Sequence, residues 1–242
     1  MLNNISTFRR RLDLFLRDPV WVLKGRFALV RRGIKLANKS FQLWAKYRLR
    51  GRGYLEFFKN RPPHALGPDY ADLWFLYRTA RRRKPKCIVE FGSGASTVIL
   101  AQALSDNYAE NPGDGGRLYS FDAEKEWADA AAKTMPARLR QFCEVSHHPV
   151  FREEYDGKKV YRHENIPSDI VPDLVYLDDP GTYPKGTISV DMLYVEPRLR
   201  RGFCMVIDGR REMTEFLRSH LRREYKFRYR RFFYNSVFEL IA

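Results

Sequence analysis

Four short apolar runs in this chain each end in an acidic residue. They are Cys87-Ile88-Val89-Glu90, Leu118-Tyr119-Ser120-Phe121-Asp122, Leu174-Val175-Tyr176-Leu177-Asp178 and Phe203-Cys204-Met205-Val206-Ile207-Asp208. Their length and β-branched, aromatic content predict buried strands. A further strand is predicted from Phe142 to Ser146. Helical stretches separate the runs: Ser96 to Ala101, Lys125 to about Lys133, and Glu212 to Leu221. Residues 225–231 and 236–241 read as an antiparallel pair around Tyr234-Asn235-Ser236. Such alternation predicts an α/β fold with a doubly wound, mostly parallel sheet closed by an antiparallel terminal hairpin. Ligands of these sheets bind beyond the carboxyl ends of the strands. Glu90, Asp122, Asp178 and Asp208 would share that edge.

The 242 residues suit one domain plus an appendage. Cys87, Cys143 and Cys204 are too few and too scattered for a disulfide framework and lack C-x-x-C spacing, so they read as reduced core residues. The longest uncharged run, Phe91 to Ser105, is 15 residues, short of the ~18 needed to span a bilayer. Asp13, Arg17 and Asp18 interrupt any signal-peptide core. The expected location is cytoplasmic.

Charge is unevenly placed. Residues 1–86 carry 22 Lys+Arg against 5 Asp+Glu, net +17, and residues 87–242 carry 22 against 24, net −2. Ile5, Phe8, Leu12 and Phe15 recur at helical spacing up to Pro19. Leu23, Phe27, Val30, Ile34, Ala37, Phe41 and Trp44 then form one apolar stripe, with Lys24, Arg31, Arg32, Lys35, Lys39 and Lys46 off it. A basic amphipathic helix of this kind packs on its own domain or a second copy, or lies on an anionic membrane surface, peripheral to its inner face. Gly25 and Gly33 count against an unbroken helix. Gly51, Gly53, Pro62, Pro63, Gly67 and Pro68 mark a linker. The predicted organisation is therefore a basic helical extension, 1–60, and a main domain, 61–242. Asp69 is placed to cap a helix through Ala80. Tyr155-Asp156-Gly157-Lys158 is a hairpin-turn signal.

Glu90-x-Gly92-x-Gly94 follows a strand and opens a helix. It is not the dinucleotide fingerprint, because Thr97 stands where a third glycine is wanted and Asp122 lies too far on. No phosphate-loop Lys follows.

Glu90-Phe91-Gly92-Ser93-Gly94-Ala95-Ser96-Thr97 resembles the first motif of class I S-adenosylmethionine-dependent methyltransferases. Ser120-Phe121-Asp122 with Glu126-Trp127 is similar to the family's second strand, Leu174–Asp178 to its fourth and Arg201–Arg210 to its fifth. The resemblance covers roughly residues 70–242 by motif order. It implies a Rossmann-like fold and S-adenosylmethionine as cofactor. Gly92 and Gly94, with Ser96 and Thr97 in the same motif, would pass under the methionine part of the donor. Glu90 would orient its amino group. Asp122 would take the ribose hydroxyls, since a carboxylate accepts two hydrogen bonds, and Ala123 and Val145 are places for adenine contacts.

Methyl transfer from a sulfonium needs chiefly positioning, and a hydroxyl acceptor also needs a base or a metal. Asp178 is the first candidate on the acceptor side and Asp179 the second. His147 is the candidate base, with His148 beside it. An Asp178–Asp208 oxygen-ligand pair is an alternative, although no flanking cluster supports a metal. Tyr183 and Lys185 follow in the same loop. Asp179-Pro180-Gly181-Thr182 lacks the second proline and the aromatic of the amino-methylating nucleic-acid enzymes.

The expected function is methyl transfer to a hydroxyl or carboxyl acceptor, a small molecule, a glycan or a membrane-associated intermediate. The alternatives are an RNA methyltransferase clamped by the basic N-terminus, though nucleic acid is the lesser expectation, and a non-catalytic donor-binding module.

Overall fold

The computed structural model describes residues 19–55, 67–178, 187–230 and 235–242. The stripe from Ile5 to Phe15, Pro62 and Pro63 of the linker, and Asp179, Tyr183 and Lys185 lie outside them. The chain divides into two compact units, residues 1–44 and 45–242.

In the first unit the described residues belong to helix α1 (Pro19–Arg50). Pro19 stands at its first position, where the missing N–H costs no hydrogen bond. Gly25 and Gly33 lie within the helix without interrupting it. Leu36 and Leu43 are 67% and 62% exposed, and Trp44 is 43% exposed beside Phe41.

In the second unit, Ala45 and Leu49 of α1 and Tyr54 after it are buried. The hydroxyls of Tyr54 and Tyr77 both donate to Asp106 Oδ2, and Gln102 Nε2 donates to its Oδ1 at 2.7 Å. Helix α2 (Tyr70–Arg83) begins at Asp69, whose side chain accepts from the Asp72 N–H at 3.0 Å. It ends with Arg81, Arg82 and Arg83 against the negative end of the helix dipole. The strand β1 (Cys87–Phe91) leads into helix α3 (Ala95–Glu110), then β2 (Arg117–Asp122), helix α4 (Lys125–Thr134) and β3 (Cys143–His147).

The remaining strands are β4 (Val150–Tyr155), β5 (Lys158–His163), β6 (Leu174–Leu177), β7 (Ile188–Ser189), β8 (Cys204–Asp208), β9 (Tyr225–Arg230) and β10 (Asn235–Leu240). Helices α5 (Asp191–Val195) and α6 (Arg211–His220) flank β8 in sequence. A seven-stranded sheet has the order β3-β2-β1-β6-β8-β10-β9, parallel except where β10 runs against β8 and β9. This is the doubly wound, Rossmann-like α/β architecture with an antiparallel end. The edge strand β9 carries Lys226, Arg228 and Arg230 at alternate positions, which discourages pairing with another chain.

A second sheet, β4-β5-β7, has no sequence signal beyond its hairpin turn. Asp156 and Gly157 both have positive φ, 50° and 68°, as a tight two-residue hairpin loop requires. Alternation along the central strands sends Val89, Phe91, Val175, Leu177, Met205 and Ile207 to one face. There they form the main apolar cluster with Val160, Ile188, Met192 and Leu217 of the second sheet, α5 and α6. Ile88 and Glu90 turn the other way. Cys143 and Cys204 are buried and Cys87 is half-buried, all free. Burial raises the Cys87 and Cys204 thiols to about 12 and about 11.

Glu196, 4% exposed, anchors the closing hairpin. Its Oε1 accepts from Arg222 N, Arg223 N and Tyr225 Oη at 3.0, 2.9 and 3.1 Å. Glu196→Ala strands two backbone N–H groups. The expected loss is about 3 kcal/mol of unfolding free energy, read as a lower urea midpoint at unchanged slope.

Candidate functional site

The turn after β1 is assembled by four side chains, Glu90, Thr97, Ser120 and Asp122, from two strands and a helix. Gly92 has φ 96°, a conformation that favours glycine, and its N–H donates to Phe121 O at 2.8 Å. Ser93 N donates to Asp122 Oδ2 at 2.7 Å. Gly94 N donates to Thr97 Oγ1 at 2.8 Å, which caps the first turn of α3. The Thr97 hydroxyl donates in turn to Glu90 Oε2 at 2.6 Å, and Ser120 Oγ donates to the same oxygen at 2.7 Å. Thr97 therefore stands in place of a third glycine because its hydroxyl ties the turn to β1.

Glu90 is fully buried. Burial pushes its carboxyl up to about 7 against the pull of the Ser96, Thr97 and Ser120 hydroxyls, while the nearby Asp122 charge adds to the rise. Its Oε1 has no hydrogen-bond partner among the described residues. A side chain added at Gly94 would meet nothing within 4 Å, so the backbone there faces open space. Asp122, 5% exposed, also accepts from Glu124 N at 2.9 Å through Oδ1. Burial raises it, and the Glu124 and Ser93 N–H groups and His163 oppose the rise. Each oxygen keeps a further lone pair.

Ala123 is buried directly after β2, and Val145 is half-buried on β3. His147 ends β3, with Nε2 3.2 Å from Ala123 O. His148 Nδ1 lies 2.8 Å from Glu164 O and its Nε2 3.1 Å from Ser146 Oγ. β3 and β6 are separated by β2 and β1, so His147 is on the Ala123 side of the edge and away from Asp178. Asp178 follows β6, its N–H bonded to Phe91 O at 3.0 Å. Arg210 Nη2 donates to Asp178 O at 3.0 Å and lies 3.8 Å from Oδ1. Among the described residues no group of three His, Cys, Asp or Glu is arranged to hold a metal ion.

Two features are not legible in the sequence. His163, buried on β5 with its ring 5.1 Å from that of Phe91, has N and Nδ1 at 2.7 and 2.9 Å from the Asp191 carboxylate, which also accepts from Ser189 Oγ at 2.8 Å. Asp72 of α2 accepts from Asn235 Nδ2 at 2.8 Å, next to Asp208. Asp208 is legible as a strand-end acid, but its neighbours Asp72 and Asn235 show in the sequence only as a residue near a helix cap and a hairpin residue.

A family model described as a methyltransferase domain matches residues 89–209, half of the chain, from β1 to the residue after β8. The chain belongs to that family. It is a methyltransferase. The fold of this methyltransferase is shared with an O-methyltransferase from Bacillus cereus solved in complex with SAH, at TM-score 0.51 and 15% identity over 85% of this chain and 100% of that one. It is shared also with a provisionally assigned O-methyltransferase from Klebsiella pneumoniae, at TM-score 0.52, 15% identity and the same two coverages. No curated protein is similar to the methyltransferase in sequence. No helix among its described residues is long and apolar enough to cross a membrane.

Proposed function

We propose that this methyltransferase transfers the methyl group to an oxygen, a hydroxyl or carboxyl, of an acceptor held beyond the ends of β6 and β8. The observation that carries the reading is the half-exposed Asp178 carboxylate, a hydrogen-bond acceptor suited to a hydroxyl, at the carboxyl edge one strand from the Gly92–Gly94 turn. The two structures of like fold, both described as O-methyltransferases, agree with it. On the donor side, the buried, unpartnered Glu90 Oε1 and the open space at Gly94 fit a methionine ammonium passing over the turn. Gly92 and Gly94 let the backbone approach, with Ser96 and Thr97 holding the turn behind them. Asp122 accepts the ribose hydroxyls, and Ala123 and Val145 flank the adenine. The donor supplies an activated methyl on a sulfonium; the protein supplies orientation, exclusion of water and an acceptor for the hydroxyl proton. Asp178 serves that last role in this reading. Asp179 is the second choice.

Incubation with methyl-labelled S-adenosylmethionine and a pool of hydroxylated and carboxylated cell metabolites tests the acceptor atom. Label on a hydroxyl survives mild alkali as an ether, and label on a carboxyl is released as methanol. With total RNA offered beside the pool, label that enters only the RNA, in nuclease-sensitive form, would overturn the reading in favour of the RNA alternative.

We further propose that the basic N-terminal helix meets an anionic membrane surface, which would bring the enzyme to a lipid-linked acceptor. Leu36 and Leu43, seven residues apart and exposed on one side of a helix that also carries Lys39 and Lys46, support it. Leu36→Glu with Leu43→Glu is expected to lower sedimentation with anionic vesicles at least about fivefold. Unchanged sedimentation would contradict it.

A further inference from the structure

Beyond the donor site, one group of polar side chains at the same edge is built from parts far apart in sequence. Asp208 ends β8. Asn235 opens β10 directly opposite it in the antiparallel register. Asp72, in the first turn of α2, accepts from Asn235 Nδ2 at 2.8 Å and is 7% exposed. Asn235 is 1% exposed, with its side chain turned to this group, and its Oδ1 has no hydrogen-bond partner among the described residues. A buried amide oxygen left without a donor costs free energy on the order of 1–3 kcal/mol. A ligand that donates to it would recover that cost. Asp208 is half-exposed and is the member of the group that reaches solvent.

We infer that Asp72, Asp208 and Asn235 form the subsite for the acceptor, and that the acceptor is a neutral polyol presenting neighbouring hydroxyls, such as a saccharide. This rests on the proposed oxygen acceptor and names its class. Three acceptor-rich side chains close together call for a ligand with several hydroxyl donors. Burial, with the charges of Asp69 and Asp208 beside it, raises the Asp72 carboxyl well above the ordinary carboxylate range, which favours its protonated form and a neutral ligand over a polyamine. Asp208 is raised by burial and by Asp69, with Arg210 and side-chain hydrogen bonds to Asp178 and Asp72 opposing. Arg230 faces Asp72 from β9. Two neighbouring carboxyls whose burial favours a shared proton can both donate and accept, the pattern a hydroxyl pair satisfies. Tyr176 on β6 feels the charges of both Asp72 and Glu90. It lies between the subsite and the donor turn, paired in register with Glu90 on one side and Val206 on the other.

The test uses the full chain saturated with S-adenosylhomocysteine. Saturation-transfer NMR is recorded with inositol and methyl glucoside as probes, and with spermidine as the cationic control. The expected result is transfer to the two polyols and none to spermidine. In Asp208→Asn, which keeps the shape of a half-exposed side chain, polyol affinity falls at least tenfold while S-adenosylhomocysteine still binds. Asn235→Ala repeats the loss, with the unfolding midpoint measured for both variants to show that they fold. Polyol signals unchanged in the folded variants would overturn the subsite. Binding of S-adenosylhomocysteine with no polyol response, or a response to spermidine alone, would also overturn it and leave the donor reading standing. Failure of S-adenosylhomocysteine to bind the wild-type protein would overturn the proposed function together with the subsite.

Discussion

Asp122→Ala is expected to raise the dissociation constant for S-adenosylhomocysteine at least about 100-fold, a loss of roughly 2.7 kcal/mol. The carboxylate has two functions. Oδ2 holds the Ser93 N–H and so fixes the turn over which the donor passes, and Oδ1 holds the Glu124 N–H at the start of α4. The remaining lone pairs take the ribose hydroxyls in the proposed donor pose. Hydrogen bonds to a charged group contribute about 1.5–3 kcal/mol each, so removing the carboxylate removes the ribose contact and loosens the turn at once. Asp122→Asn retains one acceptor oxygen and is expected to lose about tenfold. Titration calorimetry measures both variants. A dissociation constant within threefold of wild type for Asp122→Ala would place the ribose elsewhere.

Glu90 gives the second large effect, and its direction follows from its proton. The unfolded carboxyl titrates near 4.5 and the folded one near 7, so between those values the native state binds the extra proton. The corresponding stability is fully present below about pH 4.5 and is lost as pH rises through about 7. For a fully buried group the difference amounts to roughly 3 kcal/mol. Glu90→Gln, which carries no titrating proton, is expected to flatten the pH dependence of urea unfolding between pH 5 and 8 and to be the more stable protein at pH 8. Donor binding runs the opposite way. An ammonium beside Oε1 favours the ionised carboxylate, so donor affinity is expected to rise with pH up to about 7, by as much as tenfold per unit. The gain disappears in Glu90→Gln. Equal pH profiles for the two proteins would remove Glu90 from the ligand's surroundings.

These residues differ in how far the sequence exposes them. Glu90, Gly92 and Gly94 are legible because the strand, turn and helix that present them are contiguous and their spacing is local, and Asp122 because it ends the next apolar run. Thr97 is visible only as a missing glycine; its hydroxyl bridge between Gly94 and Glu90 emerges only in three dimensions. The Asp156-Gly157 turn is readable for its backbone demands. The sheet it belongs to is not, because β7 is two residues long and pairs with β5 across 28 positions. Asp72 and Asn235 are 163 residues apart, and neither has a local pattern that separates a buried polar pair from a helix cap and a hairpin residue. His147 and Asp178 look like alternatives for one task in the sequence, but the strand order sets them on different sides of the edge. The apolar stripe of α1 is helical, as its spacing predicts. Leu36 and Leu43, exposed on that helix, fall outside the stripe.

The central claim is that the turn after β1 binds S-adenosylmethionine, and thermal unfolding with added ligand tests it most directly. A ligand at about 100 times its dissociation constant stabilises the native state by about 2.7 kcal/mol. The predicted result is a rise in Tm with S-adenosylmethionine and with S-adenosylhomocysteine, none with NAD, and loss of the rise in Asp122→Ala. No shift at millimolar S-adenosylmethionine, or an equal shift with NAD, would contradict it.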